Sequence, residues 1–149
     1  MNIEKLLTNL YRTNNIRYPH EIQLDLIADN FHLTVLRLPI DAVAGSKLII
    51  IDSRKPLQVQ REQLAHEIGH RVLHNGSQTE MHPLFRKLQE NQTQIFAMLA
   101  LAPTYMLLNF LPESPQYLEH QTAWLAEIFR VTYEFMERRL QLFERSRIS

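Results

Sequence analysis

The chain has 149 residues, enough for one compact domain that buries most of the surface its unfolded form exposes, and too few for a second full one. Its 16 basic and 16 acidic side chains cancel, which excludes a global positive field of the kind that draws proteins to nucleic acid or anionic membranes. It has no cysteine, so disulfides, thiolate ligands and thiol nucleophiles drop out, and His, Asp and Glu remain as metal ligands.

In chain order, residues 3–12 and 20–30 read as short amphipathic helices, with Pro19 in the first turn of the second. Ile22, Leu24, Leu26, Ile27 and Phe31 are its expected core contacts. LTVLRL (33–38) and KLIII (47–51) are short and rich in Leu, Ile and Val, and read as strands. KLIII suits a sheet edge and a buried central strand equally well. From about 57 to 74 apolar residues recur at helical spacing until Asn75-Gly76, with Pro56 at the start. A further helix is predicted over 86–102, where IFAMLALA is apolar on every side, as in a buried helix. A short helix over 104–111, a turn bracketed by Pro112 and Pro115, and helices over 116–129 and 132–145 complete the chain. The segment MNIEKLLTNLYRTN lacks the apolar centre of a signal peptide, and no run reaches the roughly 18 apolar residues of a membrane span. The expectation is a soluble, cytoplasmic protein.

Within LAHEIGHRVLHNG (64–76), His66, Glu67 and His70 have the order H-E-x-x-H. A four-residue step on an α-helix turns about 400°, so His66 and His70 lie about 40° apart on one face and about 6 Å apart in rise. Two imidazoles can then converge on one ion. Leu64, Ala65, Ile68, Gly69 and Val72 fall on the other side, which separates a core face from a chemical face. Neutral imidazoles suit Zn²⁺, and Glu67 stands where a general base for water would be needed. The plain alternative is a surface helix rich in histidine. His74 lies about 12 Å from His66 along the axis, too far to share one ion on a straight helix, and reads as a supporting or capping residue. Val72 and Leu73 occupy the region where the longer H-E-x-x-H-x-x-G-x-x-H pattern needs its glycine, which disfavours a metzincin.

A third ligand must come from elsewhere. Glu90 is the only carboxylate between His82 and Pro112. At the mouth of a buried helix a carboxylate is costly unless paired or metal-bound; a solvated Glu complementing the helix dipole in the first turn is the other reading.

These segments resemble the ImmA/IrrE-type metallopeptidases, which show a strand, a helix with HElgHxLLH, and a helix patterned E-x-x-A-x-x-F-A-x-x-L-L-x-P. The chain has KLIIID, AHEIGHRVLH and ENQTQIFAMLALAP in that order, and the likeness spans roughly residues 20–140. Thr93 stands where the family usually has Ala, and Ala100 where it has Leu. The resemblance implies His66, His70 and Glu90 as Zn²⁺ ligands and Glu67 as general base. It also implies an α+β, small zincin-like domain, mostly helical, with a short sheet beside the H-E-x-x-H helix. LAEIFRVTYEFMERRL resembles the family's LAxxFxVSxxAxxxRL, a helix-turn-helix-like segment placed within 116–145 of a single domain spanning 1–149, with Thr132 as a cap. From 117 to 149 five Arg face five Glu, without the basic surplus of a DNA-reading helix, so packing or protein recognition is the favoured role.

The expected function is therefore a zinc endopeptidase. Similar family members are encoded beside phage or mobile-element repressors and cleave them, which implies a helix-turn-helix repressor as the protein substrate. The alternative is a non-catalytic regulator that binds a partner or DNA with a structural zinc. His82, Tyr105 and His120 are all candidates for the oxyanion donor.

Overall fold

The computed structural model describes residues 2–74 and 82–148. Helix α1 (Ile3–Thr13) begins where the Asn2 side chain accepts the Lys5 amide, and it buries Leu7 and Tyr11. The helix predicted over 20–30 is instead two pieces, a 3-10 turn Pro19–Glu21 and helix α2 (Leu24–Asn30). Glu21 causes the break: its carboxylate accepts the amides of Arg17 and Tyr18, closing the turn, while Ile22 and Gln23 run extended. Ile22, Leu24 and Ile27 are core residues as expected, whereas Leu26 and Phe31 are only partly buried.

Strands β1 (Thr34–Leu38), β2 (Val43–Ala44) and β3 (Leu48–Asp52) form one sheet in the order β1-β3-β2. β3 pairs parallel to β1, with Ile50 opposite Leu36, and antiparallel to β2, with Ile50 opposite Val43. KLIII is thus the central strand, and its reading as an edge falls. Ile49 and Ile51 point inward and are fully buried.

Helix α3 (Leu57–Leu73) buries Leu64, Ala65, Ile68 and Gly69, the face that the helical wheel assigns to the core. His74 caps its C-terminus; Asn75-Gly76, the expected stop, lies outside the described residues. Helix α4 (Pro83–Leu101) begins three residues before the predicted start, with Pro83 in its first turn and the His82 side chain accepting the Leu84 amide. Glu90 therefore sits two turns inside the helix and not in its first turn. The α3–α4 contact is the most extensive between any two elements of the described residues.

Helix α5 (Thr104–Phe110), a 3-10 turn Leu111–Glu113, α6 (Leu118–Phe129) and α7 (Tyr133–Ile148) follow. Thr132 caps α7 as expected, its hydroxyl accepting the Phe135 amide. The Glu62 carboxylate of α3 accepts both the amide and the hydroxyl of Thr132, which joins α7 to α3. α7 buries Phe135, Met136, Arg139, Leu140 and Phe143, so the second helix of the helix-turn-helix-like segment is inserted in the core. The whole is an α+β fold, mostly helical, with a three-stranded sheet beside the H-E-x-x-H helix, as in a small zincin. Among the described residues no single helix is long and apolar enough to cross a membrane.

Candidate metal centre

The α3 backbone sets His66 and His70 one turn apart, with ring centroids at 4.8 Å and planes nearly perpendicular. Across the helix interface Glu90 of α4 places one carboxylate oxygen 3.2 Å from His66 Nε2 and the other 3.1 Å from His70 Nε2. One ligand atom from each of the three residues lies within 4.8 Å of the others, and this is the one His/Asp/Glu group among the described residues that could hold a metal ion. Two imidazole nitrogens and a carboxylate oxygen suit Zn²⁺, and a three-residue set leaves a coordination position free. A cation between them would be met by the two ring nitrogens and a carboxylate oxygen. The donor set therefore fits such an ion.

The environment favours the neutral form of the His70 imidazole, the form a metal needs. Burial lowers the pKa of His70 below the usual histidine range, and the opposing pull of the Glu90 carboxylate is smaller. His74 is not part of the ligand group. Its Nε2 lies 3.2 Å from the Gln89 carbonyl, so the α3 cap rests on α4 beside Glu90.

The approach of α4 to α3 depends on Gly69. A Cβ there would meet Phe96 Cδ1 at 3.0 Å and Thr93 Cγ2 at 3.2 Å, both on α4. Thr93 is accommodated because position 69 has no side chain.

Glu67 faces a cleft of about 300 Å³ beside His66. Its carboxylate lies 3.8 Å from the Arg71 guanidinium one turn on, and Arg71 Nε donates to the Gly45 carbonyl in the connection between β2 and β3. Arg71 thus ties Glu67 to the connection between β2 and β3. That i,i+4 pairing is visible in the sequence, although the contact with Gly45 is not. Gln63 and Gln94 add polar lining, Ala42 marks the β2 side, and Phe135 and Arg138 of α7 close the wall. The α7 residues are a contribution that sequence reasoning missed, since nothing local places 135 and 138 beside 66 and 67.

None of the three oxyanion candidates lines this cleft. Tyr105 donates to the Ile16 carbonyl at 2.8 Å and lines a separate hollow with Arg12 and Asn109. His82 caps α4, and His120 packs edge-on against Tyr117 on α6.

The chain is 35% identical over 147 residues to the phage-like element PBSX protein XkdA of Bacillus subtilis (strain 168), covering 96% of this chain and 73% of that one. It is 29% identical over 148 residues to the uncharacterized protein YqaB of the same organism, covering 96% and 84%. Residues 22–141, more than half of the chain and including every residue of the metal centre, match the IrrE N-terminal-like domain of the family Peptidase_M78, and the chain belongs to that metallopeptidase family.

Proposed function

We propose that this protein is a zinc-dependent endopeptidase that cleaves a helix-turn-helix transcriptional repressor of a phage or mobile element and acts as an anti-repressor in the cytoplasm. His66, His70 and Glu90 are the ligands and Glu67 is the general base. The observation that carries this reading is the convergence of two imidazoles and one carboxylate from two helices, with Glu67 lining the adjoining cleft. Membership of a metallopeptidase family and likeness to a protein named for a phage-like element support it.

A zinc ion held by these three residues supplies Lewis-acid polarisation of the scissile carbonyl and acidifies nearby water. Glu67 takes one proton from the attacking water as its oxygen bonds to the carbonyl carbon. The C–N bond then breaks, and Glu67 delivers the proton to the leaving amine nitrogen. Arg71, within 4 Å of Glu67, keeps that carboxylate beside His66. The substrate backbone runs extended along the outer edge of β2, next to Ala42 at the cleft, a recurrent way of holding peptides.

Glu67→Gln tests this. Zinc content should be unchanged while cleavage of the purified repressor falls by about 100- to 10,000-fold, the usual worth of a general base. Repressor inactivation that persists undiminished in Glu67→Gln would show a non-catalytic regulator that binds its partner instead.

A further inference from the structure

A second cavity, of about 600 Å³, lies behind the metal helix and shares no lining residue with the metal cleft. Its α3 wall carries Leu57, Arg61 and Leu64; Arg61 is five residues before His66 and so about 140° round the helix from it. Arg130, the left-handed residue that ends α6, forms the facing wall.

The charges here do not balance. Three arginines, Arg37, Arg61 and Arg130, line the cavity against one carboxylate, Asp25, an excess of two positive charges. Asp25 is already taken, receiving two hydrogen bonds from Arg37 at 2.7 and 3.2 Å. Among the described residues no carboxylate lies within 4.0 Å of the Arg61 or Arg130 guanidinium. Arg61 Nε donates to the Arg130 carbonyl at 3.2 Å, and this bond holds the two residues together. The pKa of Arg61 is pulled below the usual arginine range, by burial first and by the Arg130 charge second. A half-buried guanidinium, Arg61, beside an exposed one, Arg130, that repels it, with no carboxylate within ion-pairing distance of either, is arranged to receive an anion from outside. Guanidinium forks match phosphate oxygens in geometry and charge. Leu57, largely exposed, offers apolar surface beside that charged end, above the buried Leu24 and Leu64, and the volume lies within the range of small-molecule sites.

We propose that this cavity binds a phosphate monoester of a small organic molecule, with Arg61 and Arg130 on the phosphate and the leucine-lined wall on the organic part. The site is separate from the metal centre and does not depend on the peptidase reading.

Titration calorimetry of the zinc-loaded full chain with inorganic phosphate, at constant ionic strength, should show saturable one-site binding. Phenyl phosphate should bind about tenfold or more tightly than inorganic phosphate, because it also covers the apolar wall. Arg130→Asn should weaken both by about tenfold or more, and asparagine tolerates the left-handed backbone, so the turn is kept. Arg61→Lys, which keeps the charge but not the fork, should weaken phosphate less than Arg130→Asn does. No saturation up to about 10 mM phosphate, or equal affinity in Arg130→Asn and the parent, would overturn the site. Binding abolished by Glu90→Gln would place the phosphate at the metal and equally overturn it. Phenyl phosphate binding no more tightly than phosphate would overturn the monoester assignment.

Discussion

Gly69 of α3 and Phe96 of α4 touch so closely that a side chain at position 69 would sit 3.0 Å from the Phe96 ring. Phe96 and Thr93 are both fully buried and have no space to retreat into. Alanine would gain about 1 kcal/mol of helix propensity over glycine, but overpacking a closed interface costs about 1–3 kcal/mol. The clash wins. Gly69→Ala should lower stability by about 1 kcal/mol and, by pushing Glu90 away from the imidazoles, weaken zinc binding. Thermal unfolding and a zinc-chelator competition check both; a raised Tm with unchanged zinc affinity would refute the close-approach argument.

Glu90 offers one oxygen to each imidazole, at 3.2 and 3.1 Å. Glu90→Gln keeps the shape and removes the charge. Zinc affinity should fall by more than the roughly 10- to 100-fold that loss of an outer-sphere partner produces. Metal analysis after dialysis reads this directly, and full zinc occupancy in the variant would take Glu90 out of the ligand set.

Arg139 is almost completely buried, and its Nε donates to the Ala102 carbonyl at 2.8 Å while Nη2 donates to the Thr104 hydroxyl at 3.0 Å. Burial pulls its pKa down to about 10, a cost that these bonds offset. The side chain fastens α7 to the corner between α4 and α5. Arg139→Ala opens a cavity and strands the Ala102 carbonyl, so a loss of about 3–5 kcal/mol is expected in denaturant unfolding. A loss under about 1 kcal/mol would mean that α7 is held by its apolar stripe alone.

The Tyr11 hydroxyl donates to the Ala100 carbonyl at 2.6 Å from a fully enclosed position, and burial pushes its pKa far above the usual tyrosine value. The folded protein then keeps a proton that the unfolded chain releases near pH 10. Tyr11 therefore contributes its full stability below about pH 10 and loses it as pH rises further, by about 1.4 kcal/mol per unit. Tyr11→Phe should be less stable at pH 8 by about 1 kcal/mol and show a shallower decline above pH 10. Parallel pH profiles for the two proteins would contradict this.

The two histidines and Glu67 were readable because their relation is set by one helix: a four-residue step fixes the face whatever surrounds it. Gly69 carried its own signal, lying on the core face of that helix. Glu90 stood out as a lone carboxylate, but its pairing with His70 and His66, 20 and 24 positions earlier, came only through family likeness, since no local rule sets the distance between two helices. β2 was invisible because two residues show no alternation, and Val43 and Ala44 become a strand only by bonding to β3. The break at Ile22 was missed for a similar reason: an apolar residue there fits a helix as well as an extended link, and Glu21 decides between them by capping the turn before it. The start of α4 was legible in Pro83 but outweighed by the apolar run further on.

The seating of α7 against the metal cleft bears on how such proteins diversify. Here Phe135 and Arg138 line the cleft beside His66 and Glu67, and Glu62 joins the start of α7 to α3 through Thr132. Replacing α7 from Thr132 onward would rebuild that cleft, so under the proposed function changes in target preference and changes in this C-terminal element are expected to travel together.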